Sequence, residues 1–335
     1  MRSPITGKEM VLIIEPKKLQ FRKEEFEIIF HSLFCEDSGE SFTTTALDDL
    51  NMTQLHNQYR EKYGILFPEE IEEIRSKYGV SAKKMSEILG FGINSYRQYE
   101  AGDIPSVANS NLIKAAADSL FFQNMVENAT ISENEKRKII SNIKRLREEK
   151  SQHQDESFLM RYFSGNEEAN VYSGFRRPNF NKLAYLIRFF SNKMEPFKTK
   201  MNKLLFYSDF LSYKKTGYSI TGLRYQAIQL GPVPYHYQGI YEYLNENDEI
   251  AMKEVLFESG MTGVQFVRYK NESHEKDLLS EQETAIIENV LQYFGSMTTK
   301  EIIDYSHQER GWLQNKESNS FIDYSYAFDI NLKME

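Results

Sequence analysis

The sequence predicts a mainly α-helical chain with small β elements, divided into an N-terminal β unit, a central helical bundle and a C-terminal α+β domain. Short runs rich in Val, Ile and Phe, bounded by turn residues, lie between residues 9 and 45. From Pro68 onward the apolar residues recur with helical spacing. A chain of 335 residues, of which 40% are hydrophobic and 13% aromatic, is long enough for two or three separate cores.

The N-terminal unit is predicted from two strand-like segments, EMVLIIEP and FEIIFHSLF. The polar segment KKLQFRKEE between them is predicted to be a hairpin connection. The next segment, DDLNMTQLHNQYREKYG, has the pattern of a helix that ends at Gly64. A small sheet followed by one helix is therefore expected over this part of the chain.

The central bundle is predicted from several short helices separated by glycines. One begins at Pro68 and stops at Gly79. Ser81 is a favourable N-cap for AKKMSEILG, whose Met85, Ile88 and Leu89 are expected to face inward.

The third short helix lies in FGINSYRQYEAG, with Ile93 and Tyr96 expected inside. Pro105 then begins a helix whose apolar side is predicted to contain Leu112, Ile113, Ala116 and Leu120.

The segment SENEKRKIISNIKRLREEK predicts one more helix, because Ser132 and Glu135 have the spacing of a capping box. Its surface is unusually basic, and a solvated helix face is the favoured interpretation of that charge. The polar segment SQHQDES that follows is predicted to be a linker.

The C-terminal domain is predicted from PNFNKLAYLIRFFSNK and TKMNKLLFYSDFLSYKKTG, two amphipathic helices, the second of which ends at Gly217. YQAIQLGPVP predicts a short strand that runs into a rigid turn, and YHYQGIYEYLNEN predicts a helix. KEVLFE and GVQFVRY predict a strand pair around Gly260 and Gly263. Two further capping boxes start the last long helices, at Ser280 with Glu283 and at Thr298 with Glu301.

Composition excludes several classes of function. The formal net charge is −8, so a nucleic-acid role has to be local and cannot come from a basic field over the whole molecule. Cys35 is the only cysteine, which excludes an internal disulfide framework and suits a reducing compartment. The N-terminus has no apolar signal core, and no apolar run approaches the roughly 20 residues of a membrane helix. We therefore expect a soluble, cytoplasmic protein without a membrane partner.

A candidate DNA-reading face lies on the third short helix. With Tyr96 inward, Asn94, Arg97 and Gln98 share the opposite face at i, i+3 and i+4. Asn and Gln can pair bidentately with adenine and Arg with guanine, while lysines opening the preceding helix can contact phosphate. An ordinary helical bundle with polar surface residues is the open alternative. The candidate DNA-binding residues are Lys83, Lys84, Asn94, Ser95, Arg97 and Gln98.

The segment SAKKMSEILGFGINSYRQYEAG resembles the Xre-type helix-turn-helix of the MqsA-like antitoxins. The marks are the Ser-initiated second helix, the Gly90–Gly92 turn, Asn94 at the start of the recognition helix and YEAG at its end. The resemblance covers about 55 residues. In that family an arginine commonly precedes the YE pair, whereas here Gln98 occupies that place and Arg97 lies one step earlier.

The lone cysteine is explained by the same resemblance. MqsA-like antitoxins carry an N-terminal zinc ribbon with two Cys-x-x-Cys knuckles. SPITGKEM resembles the first knuckle, with Ser3 and Thr6 at the cysteine places, and FCEDSGESF resembles the second, with Cys35 and Ser38. One thiolate and three alcohols do not make a zinc site. The resemblance therefore implies a metal-free ribbon-like β unit, and neither a metal nor a cofactor is expected.

Part of the C-terminal domain resembles the Panacea (SocA-like) antitoxin domain. The matching motifs are KLLFYSD, G-x-S-I-T, Q-L-G-P-V and S-H-x-E-x-x-W, in that order over about 150 residues. In that family the domain binds and neutralises a toxin encoded beside it. The stiff Gly231–Pro234 segment and the aromatics around it suit an interface. A core position is the open alternative for each of these aromatics. The candidate toxin-binding residues are Tyr207, Asp209, Gln229, Pro232, Tyr235, Tyr237, Tyr241 and Trp312.

Taken together, the resemblances predict the antitoxin of a type II toxin–antitoxin pair that also binds its operator DNA, as a homodimer. The expected domains are residues 1–65 (ribbon-like unit), 66–128 (helix-turn-helix), 129–172 (connecting helix and linker) and 173–335 (Panacea-like). No catalytic residues are expected. Two alternatives stay open: a transcription regulator or proteolytic adaptor that recognises a non-toxin protein, and an enzyme that uses Cys35 or the His307 region.

Overall fold

The computed structural model describes residues 1–150, 168–258, 260–269 and 278–332, the side chains of residues 149 and 150 excepted. Its described helices and small antiparallel sheets confirm the predicted fold class, mainly α with small β elements. The predicted linker SQHQDES lies outside the described residues. Within those residues, no helix combines the length and apolar character that crossing a membrane requires.

The described elements of the first half are the strands β1 (Val11–Phe21), β2 (Glu24–Cys35) and β3 (Glu40–Phe42) and the helices α1 (Thr45–Tyr63), α2 (Pro68–Lys77), α3 (Ala82–Leu89), α4 (Ser95–Glu100), α5 (Val107–Ala116), α6 (Ser119–Asn128) and α7 (Glu133–Lys150).

The described elements of the second half are the helices α8 (Phe180–Met194), α9 (Lys198–Thr216), α10 (Tyr237–Glu246), α11 (Glu281–Phe294), α12 (Thr299–Ser306) and α13 (Arg310–Asn315), the strands β4 (Tyr225–Ile228), β5 (Gly231–Pro234), β6 (Met252–Leu256) and β7 (Thr262–Phe266), and the 3-10 turns Val171–Ser173 and Tyr324–Asp329.

The chain divides into two compact units that are not simple consecutive segments. The first contains residues 1–17, 29–53 and 160–335, and the second contains residues 18–28 and 54–159. The N-terminal hairpin and α1 therefore contribute residues to both units.

The N-terminal sheet has the strand order β1-β2-β3, and its β2–β3 register pairs Leu33 with Phe42. Its first hairpin is longer than predicted, because β1 continues to Phe21 through most of the segment expected to be a connection. The turn itself is only Arg22 and Lys23, with φ of 48° and 70°. Two residues of positive φ match the twist of a two-residue hairpin.

Within the first unit, the base of this sheet shares a core with the C-terminal segment. The Asn51 amide pairs with the backbone of His31, accepting from its N–H at 2.8 Å and donating to its carbonyl at 3.0 Å. The His31 ring then packs edge-on against Phe328, with ring centroids 4.8 Å apart. Burial lowers the pKa of His31, so the ring is held neutral there.

The second unit has a continuous apolar core around Tyr96 and the three α3 residues predicted to face inward, Met85, Ile88 and Leu89, all of which are buried. Ser81 caps α3 by accepting from the Lys84 N–H at 3.2 Å. These predictions are confirmed.

Two inward predictions are wrong. Ile93 is 57% exposed, because it lies in the turn before α4 and not on that helix. Leu120 is 62% exposed, because the side chain of Asp118 caps a new helix, α6, where one continuous helix was expected.

Helix α7 belongs to the same core through Ile139 and Ile143, which are buried in it. Its predicted capping box is present. The Glu135 carboxylate accepts from the Ser132 N–H at 3.1 Å, and the Ser132 hydroxyl accepts from the Glu135 N–H.

The C-terminal domain is built around α9. Every residue of this helix from Lys200 to Tyr213 is buried, because β5, α11, α12 and the last 3-10 turn surround it. The amphipathic prediction for α9 is therefore wrong, whereas its end at Gly217, with φ of 76°, is confirmed. GPVP is a strand, β5, where a rigid turn was expected.

The other secondary-structure predictions for this domain are confirmed. The capping boxes at Ser280 and Thr298 are present, and β6 pairs with β7 as an antiparallel ladder.

Candidate functional site

The β4–β5 hairpin is the feature of the C-terminal domain that combines a fixed backbone with an exposed tip. Its register pairs Tyr225 with Pro234 and Ile228 with Gly231. Only Gln229 and Leu230 are left between the strands, and both are exposed, Leu230 by 52%. The hairpin therefore presents one polar and one apolar side chain at its tip.

Gly231 is required at the base of that tip. Its φ is +93°, and a Cβ there would lie 2.6 Å from the Ser306 hydroxyl oxygen and 2.8 Å from Cε of Lys203. Since no side chain fits in that space, the glycine allows the hairpin backbone to lie directly against α9 and α12.

Lys203 supports the hairpin from the interior. The side chain is fully buried, and its Nζ donates to the Pro232 carbonyl at 2.9 Å. Burial lowers the pKa of Lys203 to about 7, because the charged form is poorly solvated there. A lysine inside an apolar helix packing is unusual, and here it donates to the buried backbone carbonyl of Pro232.

His307 and Trp312 hold the other side of the hairpin. Their rings stack with centroids 4.0 Å apart and an interplanar angle of 8°. The indole N–H of Trp312 donates to the Ile228 carbonyl at 2.8 Å, and the His307 ring hydrogen-bonds to the backbone of Gln229. Burial lowers the pKa of His307, which favours the neutral ring.

Two buried carboxyl groups complete this framework. Asp209 accepts hydrogen bonds from the N–H groups of Ile220 and Thr221, each at 2.8 Å, and from the hydroxyls of Thr221 and Tyr225. Glu309 accepts from the Tyr207 hydroxyl at 3.1 Å, and burial raises the pKa of Glu309 to about 7. Both carboxyl groups are 1% exposed or less, so their hydrogen bonds hold the segments around the hairpin together from the interior.

The predicted toxin-contact residues separate into two groups. Tyr207, Asp209 and Tyr241 are core residues, exposed by 1% or less, so they have no surface with which to touch a partner. Pro232 and Trp312 are also buried, and they hold the hairpin in place.

Gln229, Tyr235 and Tyr237 reach the surface. Gln229 is exposed and the two tyrosines are half-buried. The Tyr235 ring packs edge-on against Phe321, with centroids 5.0 Å apart, and Lys198 Nζ lies 5.9 Å from the centre of the Tyr237 ring.

Two residues of this site were missed from the sequence. Leu230 was not selected because the segment was expected to be a turn after a strand, whereas it is a hairpin tip. Lys203 was not selected because an amphipathic helix would place a lysine in solvent. For Lys203 a signal was present, because the apolar residues of α9 are distributed around the whole helix, as is typical of a helix buried on all sides.

The α4 surface carries the predicted DNA-binding residues. Asn94, Arg97 and Gln98 are exposed, and Ser95 is half-buried. Tyr96 fixes this face from below, because its hydroxyl donates to the Ile71 carbonyl at 2.8 Å and its N–H donates to the Ser86 hydroxyl at 3.1 Å.

The two lysines at the start of α3 differ. Lys83 is exposed. Lys84 is half-buried and forms ion pairs with Glu87 at 2.6 Å and with Glu135 of α7 at 2.8 Å. Only Lys83 presents its charge to solvent without an offsetting carboxylate at this point of the described structure.

The two knuckle-like turns bring Ser3, Thr6, Cys35 and Ser38 together. The Thr6 hydroxyl lies 3.3 Å from the Cys35 sulfur, and the thiol is 1% exposed. The neighbouring hydroxyls of Ser3, Ser38 and Thr6 stabilise the thiolate and lower the pKa of Cys35 to about 6. Three hydroxyls and one thiol do not fit zinc, which takes thiolate, imidazole or carboxylate ligands. Among the described residues, no group of three or more His, Cys, Asp and Glu is placed to hold a metal ion.

Comparisons with known proteins found two similarities. Residues 201–313 match the family model described as antitoxin SocA-like, Panacea domain. These residues contain the hairpin and the groups that hold it. A 107-residue stretch is 30% identical to the antitoxin MqsA of Escherichia coli (strain K12), covering 31% of this chain and 81% of MqsA. The predicted relations to the Panacea domain and to the MqsA antitoxins are confirmed.

Proposed function

Because this chain belongs to the MqsA-related antitoxin family and carries a Panacea domain, we propose that it is the antitoxin of a type II toxin–antitoxin pair. In this proposal the C-terminal domain binds and neutralises a cognate toxin encoded in the same operon. The α3–α4 pair acts as a helix-turn-helix, binds operator DNA as part of a homodimer and thereby regulates the operon.

The observation that carries the toxin-binding part is the clamped β4–β5 hairpin. Its backbone accepts hydrogen bonds from buried Lys203 and from Trp312, and it leaves Leu230 52% exposed. A tip that is already fixed loses little conformational entropy when it binds. Leu230 is exposed at the tip, and the half-buried Tyr235 and Tyr237 follow β5 at the other end of the hairpin. Tyrosine is enriched among interface anchors.

The proposed contact surface is therefore Gln229, Leu230, Tyr235 and Tyr237. The core residues Tyr207, Asp209 and Tyr241 are buried and are not part of this surface.

The DNA-binding part rests on the exposed face of α4. Asn94, Arg97 and Gln98 are the side chains assigned to base edges, since amide and guanidinium groups pair bidentately with purines. Their positions are set by Tyr96, whose two hydrogen bonds fix the helix on α2 and α3. Xre-type readers dock on paired half-sites, which is the reason for proposing a homodimer.

A growth test examines the toxin-binding part. The adjacent reading frame is induced alone, then with the full chain, and then with the full-chain variants Leu230→Asp and Leu256→Asp. Leu256 is 72% exposed on β6 and serves as the matched control. We expect toxicity alone, rescue by the wild type and the control, and loss of rescue with Leu230→Asp.

The outcomes separate the alternatives. Loss of rescue with Leu256→Asp only would place the interface at the β6–β7 hairpin. An adjacent frame that is not toxic would contradict the antitoxin proposal and favour a regulator or adaptor of a non-toxin protein. Co-purification of the toxin with the wild type, but not with Leu230→Asp, distinguishes direct binding from an indirect effect on growth.

Toxin binding and operator binding are proposed to be thermodynamically linked through the connecting helix at residues 133–150. Linkage requires that toxin change operator affinity and that operator change toxin affinity by the same factor. Operator affinity measured with and without saturating toxin tests this, and an unchanged affinity would remove the linkage from the proposal.

A further inference from the structure

Helix α7 carries a stripe of cationic side chains along its solvent face. Arg137, Lys138 and Lys144 are exposed, whereas Ile139 and Ile143 are buried in the core of the same unit. With 3.6 residues per turn, positions 137, 138 and 144 lie opposite the buried pair. From residue 137 to residue 144 the stripe rises about 10 Å along the helix, at 1.5 Å per residue. Arg137 and Lys144 lie within about 20° of each other around the helix, and Lys138 lies about 100° further round. The exposed residues between 137 and 144 are thus mainly basic, with exposed Glu133 before them and exposed Glu148 after them.

This face is connected to the start of α3. Glu135, in the first turn of α7, forms an ion pair with Lys84 at 2.8 Å, and Lys84 lies in the first turn of α3. The exposed Lys83 is its neighbour. The first turns of the two helices therefore lie side by side, and in helix-turn-helix proteins the first helix of the motif runs across the DNA backbone.

The net charges of the helical bundle and of α7 have opposite signs, and only α7 is positive. Residues 66–128 contain six Lys and Arg against nine Asp and Glu, a net charge of −3. Residues 133–150 contain seven Lys and Arg against four Asp and Glu, a net charge of +3. DNA binding needs cations at the phosphates, and a bundle of negative net charge opposes it.

We infer that α7 is a second DNA-contacting element, whose Arg137, Lys138 and Lys144 bind backbone phosphates beside the bases read by α4. This inference rests on the proposed operator binding and adds to it the source of the non-specific affinity. Lys83 belongs to the same phosphate-binding surface. Lys84 does not, because its charge is already paired with two carboxylates.

The test compares the wild-type full chain with the double variant Arg137→Gln, Lys138→Gln. The matched control is Lys193→Gln, Lys300→Gln, which removes the same charge from exposed positions of the other unit. Binding is measured by fluorescence anisotropy over a range of salt concentrations. The two probes are a 40-base-pair duplex, of about four helical turns, from upstream of the chain's own coding sequence and a scrambled duplex of equal composition.

The expected result is a smaller salt dependence. The slope of log K against log salt is negative, and losing two phosphate contacts makes it shallower by about 1.8. Affinity for both duplexes falls by a similar factor, so the preference between them stays constant. Arg97→Gln behaves in the opposite way, because it removes the preference and leaves the salt slope nearly unchanged. Glutamine is a good helix former, so circular dichroism is expected to show unchanged helicity.

An unchanged salt slope in the double variant would overturn the inference while leaving operator reading by α4 intact. A wild-type chain without sequence preference would contradict operator reading, and a reduced slope in the double variant would still support the phosphate role of α7. A wild-type chain that binds neither duplex would overturn both. If the double variant lost toxin rescue while its salt slope stayed unchanged, the basic residues of α7 would bind a protein partner and the assignment to DNA would be overturned.

Discussion

Lys84 and Glu135 form an ion pair of 2.8 Å that joins the first turns of α3 and α7. Because Glu87 pairs with the same ammonium group at 2.6 Å, the charge of Lys84 is offset on two sides. These carboxylates raise the pKa of Lys84, and Lys84 in turn lowers the pKa of Glu135 to about 2. Lys83 and Lys84 are neighbours on the same helix, but of the two only Lys83 has a charge that is not already paired with a described carboxylate and can bind a phosphate.

We predict that Lys83→Gln weakens DNA binding more than Lys84→Gln. The first substitution removes a cation without an offsetting carboxylate, and the salt slope is expected to fall by about 0.9. The second removes a cation that must leave two carboxylates before it reaches a phosphate. Anisotropy titrations of the two variants on one duplex test the order. Equal losses would mean that Lys84 exchanges its carboxylates for phosphate in the complex.

Asp209→Asn is predicted to destabilise the C-terminal domain strongly. The carboxylate accepts four hydrogen bonds in the interior, from Ile220, Thr221 and Tyr225. An amide nitrogen cannot accept, so at least one buried donor loses its partner, and we expect a loss of about 2–4 kcal/mol in the free energy of unfolding. Urea denaturation is the measurement, with exposed Asp304→Asn as the control. A loss no larger than that of the control would contradict this role.

Lys203 predicts a specific pH dependence of stability. Its pKa falls from 10.5 in the unfolded chain to about 7 in the folded domain. Between these pH values the unfolded chain binds more protons at this group than the folded domain does. The free energy of unfolding therefore rises with pH from about 7 to about 10, and it falls again as the pH is lowered through this range.

Comparison of the wild type with Lys203→Met isolates that contribution. The difference in unfolding free energy between the two proteins should increase in favour of the wild type over this pH range, whereas exposed Lys300→Met should give a flat difference. A difference that does not vary with pH would mean that the Lys203 ammonium group is stabilised by contacts beyond the Pro232 carbonyl.

Cys35 is predicted to be an ionised but structurally confined thiol. The neighbouring hydroxyls of Ser3, Ser38 and Thr6 lower its pKa to about 6, so the ultraviolet absorbance of the thiolate should titrate around that pH in the folded protein. Because the unfolded pKa is about 9, the stabilising contribution of the thiolate is lost as the pH falls through 6. Burial predicts slow alkylation at neutral pH.

Cys35→Ser should keep toxin rescue, since no catalytic role is assigned to the thiol. Loss of rescue in a variant that circular dichroism shows to be folded would return an enzymatic interpretation of Cys35 to consideration.

Much of the fold was predictable because its signals are local. Glycines with positive φ ended the predicted helices at Gly64, Gly79 and Gly217, and side-chain caps started them at Ser81, Ser280 and Thr298. These effects depend on a few neighbouring residues and do not require knowledge of the tertiary structure.

The errors share a different cause. Ile93 and Leu120 were placed inside by extending a helical pattern beyond the actual helix, and GPVP was assigned to a turn because of its Gly and Pro residues. Whether an apolar residue lies inside depends on which helix it joins and on what packs against that helix, and this is decided by long-range contacts.

The sequence by itself determined the fold class, most of the elements, the antitoxin resemblances and the polar face of α4, because hydrophobic period, caps and motifs are encoded over short spans. Only the tertiary structure decided which candidates can touch a partner. It buried Tyr207, Asp209 and Tyr241, raised Leu230 to a hairpin tip, placed Lys203 beneath it and paired Lys84 with Glu135. Burial and charge pairing arise from residues far apart in the chain, and no local pattern specifies them.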